Sequence, residues 1–419
     1  RRRRSTNVTG LLRPRIRPSW RDMANRSMRR RPGIASRIPR RTSPRAMLLI
    51  VLSAALGACA TLPEREDVSS AARMGGQLVD FTGTRFDTEA SIEIIRPWHD
   101  RWMAERRASG DDEPIDLLAI SSGSDKGAFS AGFLTGWSKR GDRPDFDLVI
   151  GVSTGALIAP FAFLGPSEDD ALRRLYTTID ADDIYRQRAI SGLLGGPAFA
   201  TSRPLLEMIE REVSPELVER IAEEHRKGRR LLVTTTNLDT QRGTIWDLGS
   251  IAVSPMPNRE HLIESLLLAS SSVPALMPPV MIDVEADGQP FREMHVDGGT
   301  AGSFLAIPPS ILWGQAELRE RADVTNGSFT ILYNGRLAPQ VEGVEPTAFS
   351  ILRRSIETMI AHADRNILRS YREFAVHHGV TLAVYQIGDD FDDDAFPDEQ
   401  FDSAFMQALF AHGEEQGRQ

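Results

Sequence analysis

Residues 147–160 read DLVIGVSTGALIAP. Apolar and β-branched residues run into Gly151-Val-Ser153-Thr-Gly155, and a small apolar run follows. That order predicts a buried strand, a turn and a helix. A serine between two glycines at such a turn has a physical rationale. Neighbouring backbone passes so close to a sharp strand-to-helix turn that only glycine fits beside it, and the turn lifts the middle side chain into the open. There a hydroxyl is placed to attack an electrophile, and the helix N-terminus favours developing negative charge. Ser153 is therefore a candidate nucleophile, with Gly151 and Gly155 as the glycines of its elbow. The plainer alternative is a glycine-rich loop with an incidental serine. The choice turns on whether the rest of the chain supplies a base and an oxyanion site.

Outward from the elbow, strand and helix patterns alternate. Ile115–Ser121 predicts a buried strand, followed by a glycine-rich turn and a helix through Trp137. Phe146–Val152 is the next strand, and residues 168–227 are mostly helical, including Leu205–His225. Arg230–Thr236 is β-rich, with Thr244–Asp247 as its partner. His261–Ser270 is helical, Glu293–Asp297 a strand, Ser328–Tyr333 a strand, Ser350–Phe374 a long helix and Val380–Gln386 a last strand. Interleaved strands and helices predict an α/β fold of three α/β/α layers with a mostly parallel central sheet. Upstream, Ile92–Trp98 reads as a short strand and Trp98–Arg107 as an amphipathic helix. The expected organisation is a basic leader and signal peptide over 1–59, a linker or extension over 60–113, a catalytic domain over 114–388 and an acidic tail over 389–419.

The chain has 419 residues, 41% of them hydrophobic and 26% charged, so its bulk is globular. The net charge of −8 hides an asymmetry. Residues 1–46 hold 16 arginines and one acid, Asp22, leaving 34 of the 50 basic and 57 of the 58 acidic residues, a balance of −23. A body that acidic is a poor nucleic-acid binder and gains little from anionic lipid surfaces. Ala46–Leu56 is an apolar run of 11 residues, too short to span a bilayer and of the length of a signal-peptide core. Arg40, Arg41 and Arg45 precede it, and Leu56-Gly57-Ala58-Cys59 ends it. Small residues before a cysteine here resemble a bacterial lipobox, which implies cleavage before Cys59 and acylation of that residue. Ala60 follows where an aspartate would signal inner-membrane retention, so a lipid-anchored, periplasm-facing place at the outer membrane is expected. The plainer reading, a cysteine buried in a core helix, fits poorly with the arginines upstream. Cys59 is the sole cysteine, so no intrachain disulfide forms.

Two further segments carry chemistry. Ser122-Gly123-Ser124-Asp125-Lys126-Gly127 follows the first core strand and opens a helix, so several backbone N–H groups point one way and make an anion site. It lacks the ending of a phosphate-binding P-loop and the spacing of a dinucleotide fingerprint. One βα unit separates it from Ser153, and adjacent parallel strands bring both loops to one sheet edge, where amides suit a tetrahedral oxyanion. The other segment is His295-Val-Asp297-Gly298-Gly299-Thr300, an aspartate at a strand end beside glycines that admit close approach.

Elbow, upstream glycine loop with a basic residue, and downstream Asp-Gly-Gly together resemble the patatin-like phospholipase family. Ala269-Ser-Ser-Ser-Val-Pro-Ala-Leu-Met-Pro-Pro-Val280 is similar to that family's Ala-Ser-x-x-x-Pro-x-x-x-Pro-Pro run. The resemblance covers about residues 115–390. It implies a lipid-acyl hydrolase acting on phospholipids or other acyl esters, with Ser153 as nucleophile and Asp297 as its only partner. No histidine is then required, and His295, His362, His377, His378 and His412 are read as structural. A free aspartate, with a pKa of roughly 3.9, is a weak base toward a hydroxyl. It must be desolvated and bonded directly to the serine. The oxyanion is expected on amides of the 123–127 loop. The family pattern has three glycines where this chain has Ser122-Gly123-Ser124, and a serine held at positive φ costs about 1 kcal/mol or more. Lys126 is either a support of that loop or an exposed helix-start residue. The departure motivates a second reading, a weakly active or inactive acyl-binding scaffold lipoprotein; an acyltransferase would use the same acyl-enzyme. No carboxylate cluster has the spacing of a calcium loop, so neither metal nor cofactor is expected.

Overall fold

The computed structural model describes residues 65–111, 113–187, 198–302, 327–341, 343–397 and 399–419. The apolar run Ala46–Leu56, read as a signal-peptide core, and Cys59 lie outside them.

Strand β3 (Leu148–Val152) is buried at every position and sits at the middle of the sheet. It lies between β2 (Asp116–Ile120) and β6 (Arg230–Asn237), both parallel to it. Beyond β2, β10 (Ser328–Tyr333) and β11 (Thr381–Gln386) continue the parallel run. On the other side β7 (Arg242–Asp247) pairs antiparallel with β6, and β1 (Arg85–Asp87) antiparallel with β7. A hairpin of β8 (Val280–Ala286) and β9 (Gln289–Asp297) joins through β9 to β6. β4 (Arg186–Gln187) and β5 (Ala200–Thr201) form a separate pair.

Side chains alternate across the strands and fill two cores. Leu118, Ile120 and Val149 face one core with Phe129, Phe133 and Phe163. Ala119, Leu148 and Ile150 face the other with Trp98, Trp102 and Tyr371. Helices Gly127–Arg140 and Thr154–Leu164 cover the first face, and Ile92–Ser109 and Ala348–His378 the second. This is a three-layer α/β/α arrangement around a mostly parallel sheet.

Three expectations change. Residues 92–98 are not a strand: one helix runs from Ile92 to Ser109 through Pro97. Ile95, Trp98, His99, Trp102 and Arg106 are its buried residues, at helical spacing, and they turn the segment read as a linker or extension onto the sheet. Leu205–His225 is two helices, Arg203–Glu212 and Pro215–Arg226, divided where the Ser214 side chain caps the second. The segment read as an acidic tail over 389–419 contains a packed helix. Ser403–Arg418 is a helix whose Gly413 and Gly417 meet the backbone of Gly127–Arg140.

Candidate active site

Where β3 ends, β6 continues. Val152 pairs with Thr234, and the next three residues of β6, Thr235, Thr236 and Asn237, have no β3 partner. β9 takes that overhang antiparallel, pairing Asp297 with Thr235 and His295 with Asn237. The last residue of β9 therefore arrives beside the turn by which β3 leaves the sheet. There Ser153 donates from Oγ to Asp297 Oδ2 at 2.5 Å, across 144 residues of sequence.

The elbow is tight. A Cβ on Gly151 would stand 2.1 Å from the Gly155 carbonyl oxygen, and one on Gly155 would stand 2.2 Å from that of Ile120. Ser153 holds φ 55°, ψ −122°, a conformation that costs a non-glycine residue about 1–3 kcal/mol. Its amide donates to Ser270 Oγ at 3.0 Å, and Ser270 donates to the Thr234 carbonyl at 2.7 Å. The strained serine is thus pinned to the helix Arg259–Ser270 and to β6. The resemblance singled out the segment containing Ser270 and gave this serine no role.

Asp297 is buried. Its other oxygen accepts from the Gly299 amide at 2.7 Å. Burial pushes the carboxyl up to about 6, against the pull of the Ser153 and Gly299 hydrogen bonds. The usual group, at 3.8, ionises about two units lower. Between the two values the unfolded chain has lost the proton and the folded chain keeps it, so stability falls as pH rises through that window and is level above it. Asp297→Asn removes this penalty. Thermal unfolding at pH 7.5 should show the variant more stable than wild type by up to about 3 kcal/mol, at about 1.4 kcal/mol per unit, with the gap closed below pH ~4.

The 122–127 loop lies against the elbow. A Cβ on Gly127 would stand 2.2 Å from Thr154 Oγ1, and one on Gly299 would stand 3.2 Å from Ser122 Oγ. Gly123, at φ 156°, packs on Asn334, where a Cβ would meet the asparagine Cβ at 2.5 Å. Asn334 follows β10, takes hydrogen bonds from the Ser130 amide and hydroxyl, and donates to the Ser121 carbonyl at 2.8 Å. It holds three elements together behind the loop, a role the sequence did not show. Lys126 donates its amide to the Gly123 carbonyl, closing the turn. No hydrogen bond among the described residues uses the N–H of Gly123, Ser124 or Thr154. These three amides are candidate oxyanion donors, and the third, at the start of the elbow helix, adds to those expected from the loop.

Asp125 turns away from this site. Its buried carboxylate accepts the Phe401 amide at 3.0 Å, and burial raises its pKa. Ser124 sits at φ 56°, so the serine in place of a motif glycine carries the expected backbone cost. Ser124→Gly should raise stability by roughly 1 kcal/mol, read as an upward shift of the urea midpoint.

No histidine whose side chain is described competes for the role of base. His295 lies fully buried with Nδ1 against Thr235 Oγ1 at 2.9 Å and Nε2 against Glu293 Oε2 at 3.1 Å. Glu293 in turn pairs with Arg85 at 2.6 Å. His377 is exposed and bonds the Glu373 carbonyl, and His412 meets Gln416. A groove of about 530 Å³ between the β8–β9 hairpin and residues 78–81 is lined by Leu78, Phe81, Leu262, Met281 and Phe291 among others, and by none of the site residues.

A sheet-edge serine on a strained elbow, bonded to a buried aspartate, defines a serine hydrolase-like site on an α/β/α fold. Residues 118–309 match the model of the patatin-like phospholipase family, in agreement with the resemblance read from the sequence. That match supports lipid-acyl hydrolysis as a general activity. Among solved structures the chain matches VipD from Legionella pneumophila, with 12% identity and a TM-score of 0.36 over 73% of this chain and 67% of that one. No curated protein matches it.

Proposed function

We propose that the chain is a serine lipid-acyl hydrolase working through a Ser153–Asp297 dyad. The observation that carries this is the 2.5 Å hydrogen bond from Ser153 Oγ to a carboxylate raised by burial. Asp297 takes the hydroxyl proton as Oγ attacks the ester carbonyl, and the oxyanion settles on the amides of Gly123, Ser124 and Thr154. The C–O bond to the leaving alcohol breaks, and protonated Asp297 returns the proton to that oxygen. Water then attacks the acyl-serine with Asp297 again as base, releasing a carboxylic acid and restoring Ser153. Phospholipids or other acyl esters are the substrate class that the family supports.

From the lipobox-like Leu56–Cys59 we also propose that the chain sits at the outer membrane, acylated on Cys59 and facing the periplasm. Among the described residues no helix is long and apolar enough to cross a membrane.

Release of free fatty acid from phospholipid vesicles and of p-nitrophenol from a short acyl ester tests the activity. Turnover of either supports hydrolysis. Silence on both, with the fold intact by circular dichroism, makes the acyl-binding scaffold the better reading. Incorporation of a clickable fatty acid, lost in Cys59→Ser, tests the anchor separately.

A further inference from the structure

The long helix Ala348–His378 is packed in one half and bare in the other. Asp364, Leu368, Tyr371, Phe374 and Ala375 are buried against the sheet. Two contacts fix its direction. The Tyr333 hydroxyl donates to Asp364 Oδ2 at 2.8 Å, at the end of β10, and the Tyr371 ring meets Phe329 at 5.1 Å, near the start of that strand. The helix therefore runs antiparallel to β10. Its residues before Asp364 extend past the C-terminal edge of the sheet by about 24 Å, at 1.5 Å per residue. That edge carries Ser153 and Asp297.

No residue from 350 to 363 is buried. Ile351, Leu352, Ile356 and Met359 are 44–64% exposed. At 100° per residue these four fall within an arc of about 140°. Half-buried Arg354 and Glu357 lie on the opposite face, and Arg354 reaches back to the Gln340 carbonyl. The connecting loop adds exposed Val341 and Val344. Single exposed apolar residues need no explanation, but a row of this kind marks a contact surface.

The N-terminal end of the described chain points to the same edge. Arg65 forms a two-pronged ion pair with Asp239, just past the end of β6, and donates to the Arg292 carbonyl at 2.9 Å. Cys59 precedes Arg65 by so few residues that an extended link reaches only about 20 Å. An acyl anchor on Cys59 would hold this edge of the sheet at a bilayer.

We propose that Val341, Val344, Ile351, Leu352, Ile356 and Met359 form a bilayer-docking surface that seats the Ser153–Asp297 edge on phospholipid. The choice of lipid as the occupant rests on the proposed Cys59 anchor and on the lipid-hydrolase reading. Arg353 and Arg354 share Glu357, which leaves one net positive charge, so apolar contact drives the docking and high salt weakens it only slightly.

The test uses the full chain with Ser153→Ala, so that no turnover enters the readout, and Cys59→Ser, so that a fluorescent label reacts at one introduced thiol. Met359→Cys and Val376→Cys place that thiol at opposite ends of the helix. Vesicles of phosphatidylethanolamine and phosphatidylglycerol with brominated acyl chains should quench the label at 359 and leave it at 376. Leu352→Asp with Ile356→Asp should abolish the quenching. Equal quenching at both positions, or none at 359, overturns the proposal. Protection of the label at 359 that grows with protein concentration and needs no lipid also overturns it, because a second copy would then cover the face. A catalytically dead protein that docks separates this inference from the hydrolase reading.

Discussion

Asp297→Asn should lower kcat/KM for a short acyl ester at pH 7.5 by about 10³-fold or more, because it removes the proposed base bonded to Ser153. Ser153→Ala should lose at least as much, and the double variant no more than the worse single one, since the two side chains act as a unit. Both variants keep the elbow glycines and should fold. The wild-type pH profile carries independent information. A base works ionised, and burial holds this carboxyl at about 6. Activity should therefore climb tenfold per pH unit below that value and level off above it. A histidine base in its ordinary range would place the bend slightly higher, and Asp297→Asn would then leave the bend in place. Asparagine activity within tenfold of wild type, or a profile flat down to pH ~4.5, would rule the dyad out.

The second large effect lies away from the chemistry. Helices Gly127–Arg140 and Ser403–Arg418 touch backbone to backbone. A Cβ on Gly132 would stand 2.0 Å from the Phe410 carbonyl oxygen, on Gly136 2.1 Å from that of Glu414, and on Gly417 2.1 Å from that of Phe133. Main chain cannot yield as a side-chain tip can. Gly132→Ala should cost about 3 kcal/mol or more and push the C-terminal helix off its seat. Gly75→Ala, with nothing within 4 Å of the added Cβ, is the matched control and should stay within about 0.5 kcal/mol. Urea unfolding reads the cost, and limited proteolysis near Phe401 reads the displaced helix. Because Gly127–Arg140 opens at the oxyanion loop and Asp125 holds the Phe401 amide, ester turnover should fall with it. Unchanged stability in Gly132→Ala would mean that the helices do not meet this closely.

The central strands were legible because a buried parallel strand writes itself as a short apolar run, and the elbow because Gly151 and Gly155 flank Ser153 in one short stretch, although the crowding at Gly155 comes from the neighbouring strand at Ile120. Other parts depended on distant partners. Gly413 and Gly417 have a purpose only beside the facing helix, where they lie against the Phe129 and Phe133 carbonyls. The segment 92–98 reads as a strand on its own, yet Trp98 and Trp102, at helical spacing, bind one helix through Pro97 onto the sheet. One miss had a local signal. Ala286-Asp287-Gly288-Gln289 is a two-residue hairpin turn with φ of 52° and 77° at its centre, and an Asp-Gly between alternating runs predicts it. Reading it would have shown that Glu293–Asp297 belongs to an antiparallel hairpin. The pairing of Ser153 with Asp297 was implied by resemblance, whereas its physical cause, the overhang of β6, lies in no single stretch of sequence.

That overhang works as a ruler. The distance between Ser153 and Asp297 is set by how far β6 outlasts β3. Loops between the elements that carry these contacts can lengthen, shorten or acquire new contacts without moving the carboxylate. A single residue removed from Thr235–Asn237 has the opposite consequence. Side chains alternate along β9, so a slip of one position turns Asp297 to the far face of the sheet and brings Val296 or Gly298 to the serine. A fold of this kind is free to change what it admits to the site and tightly restrained in the length of one strand.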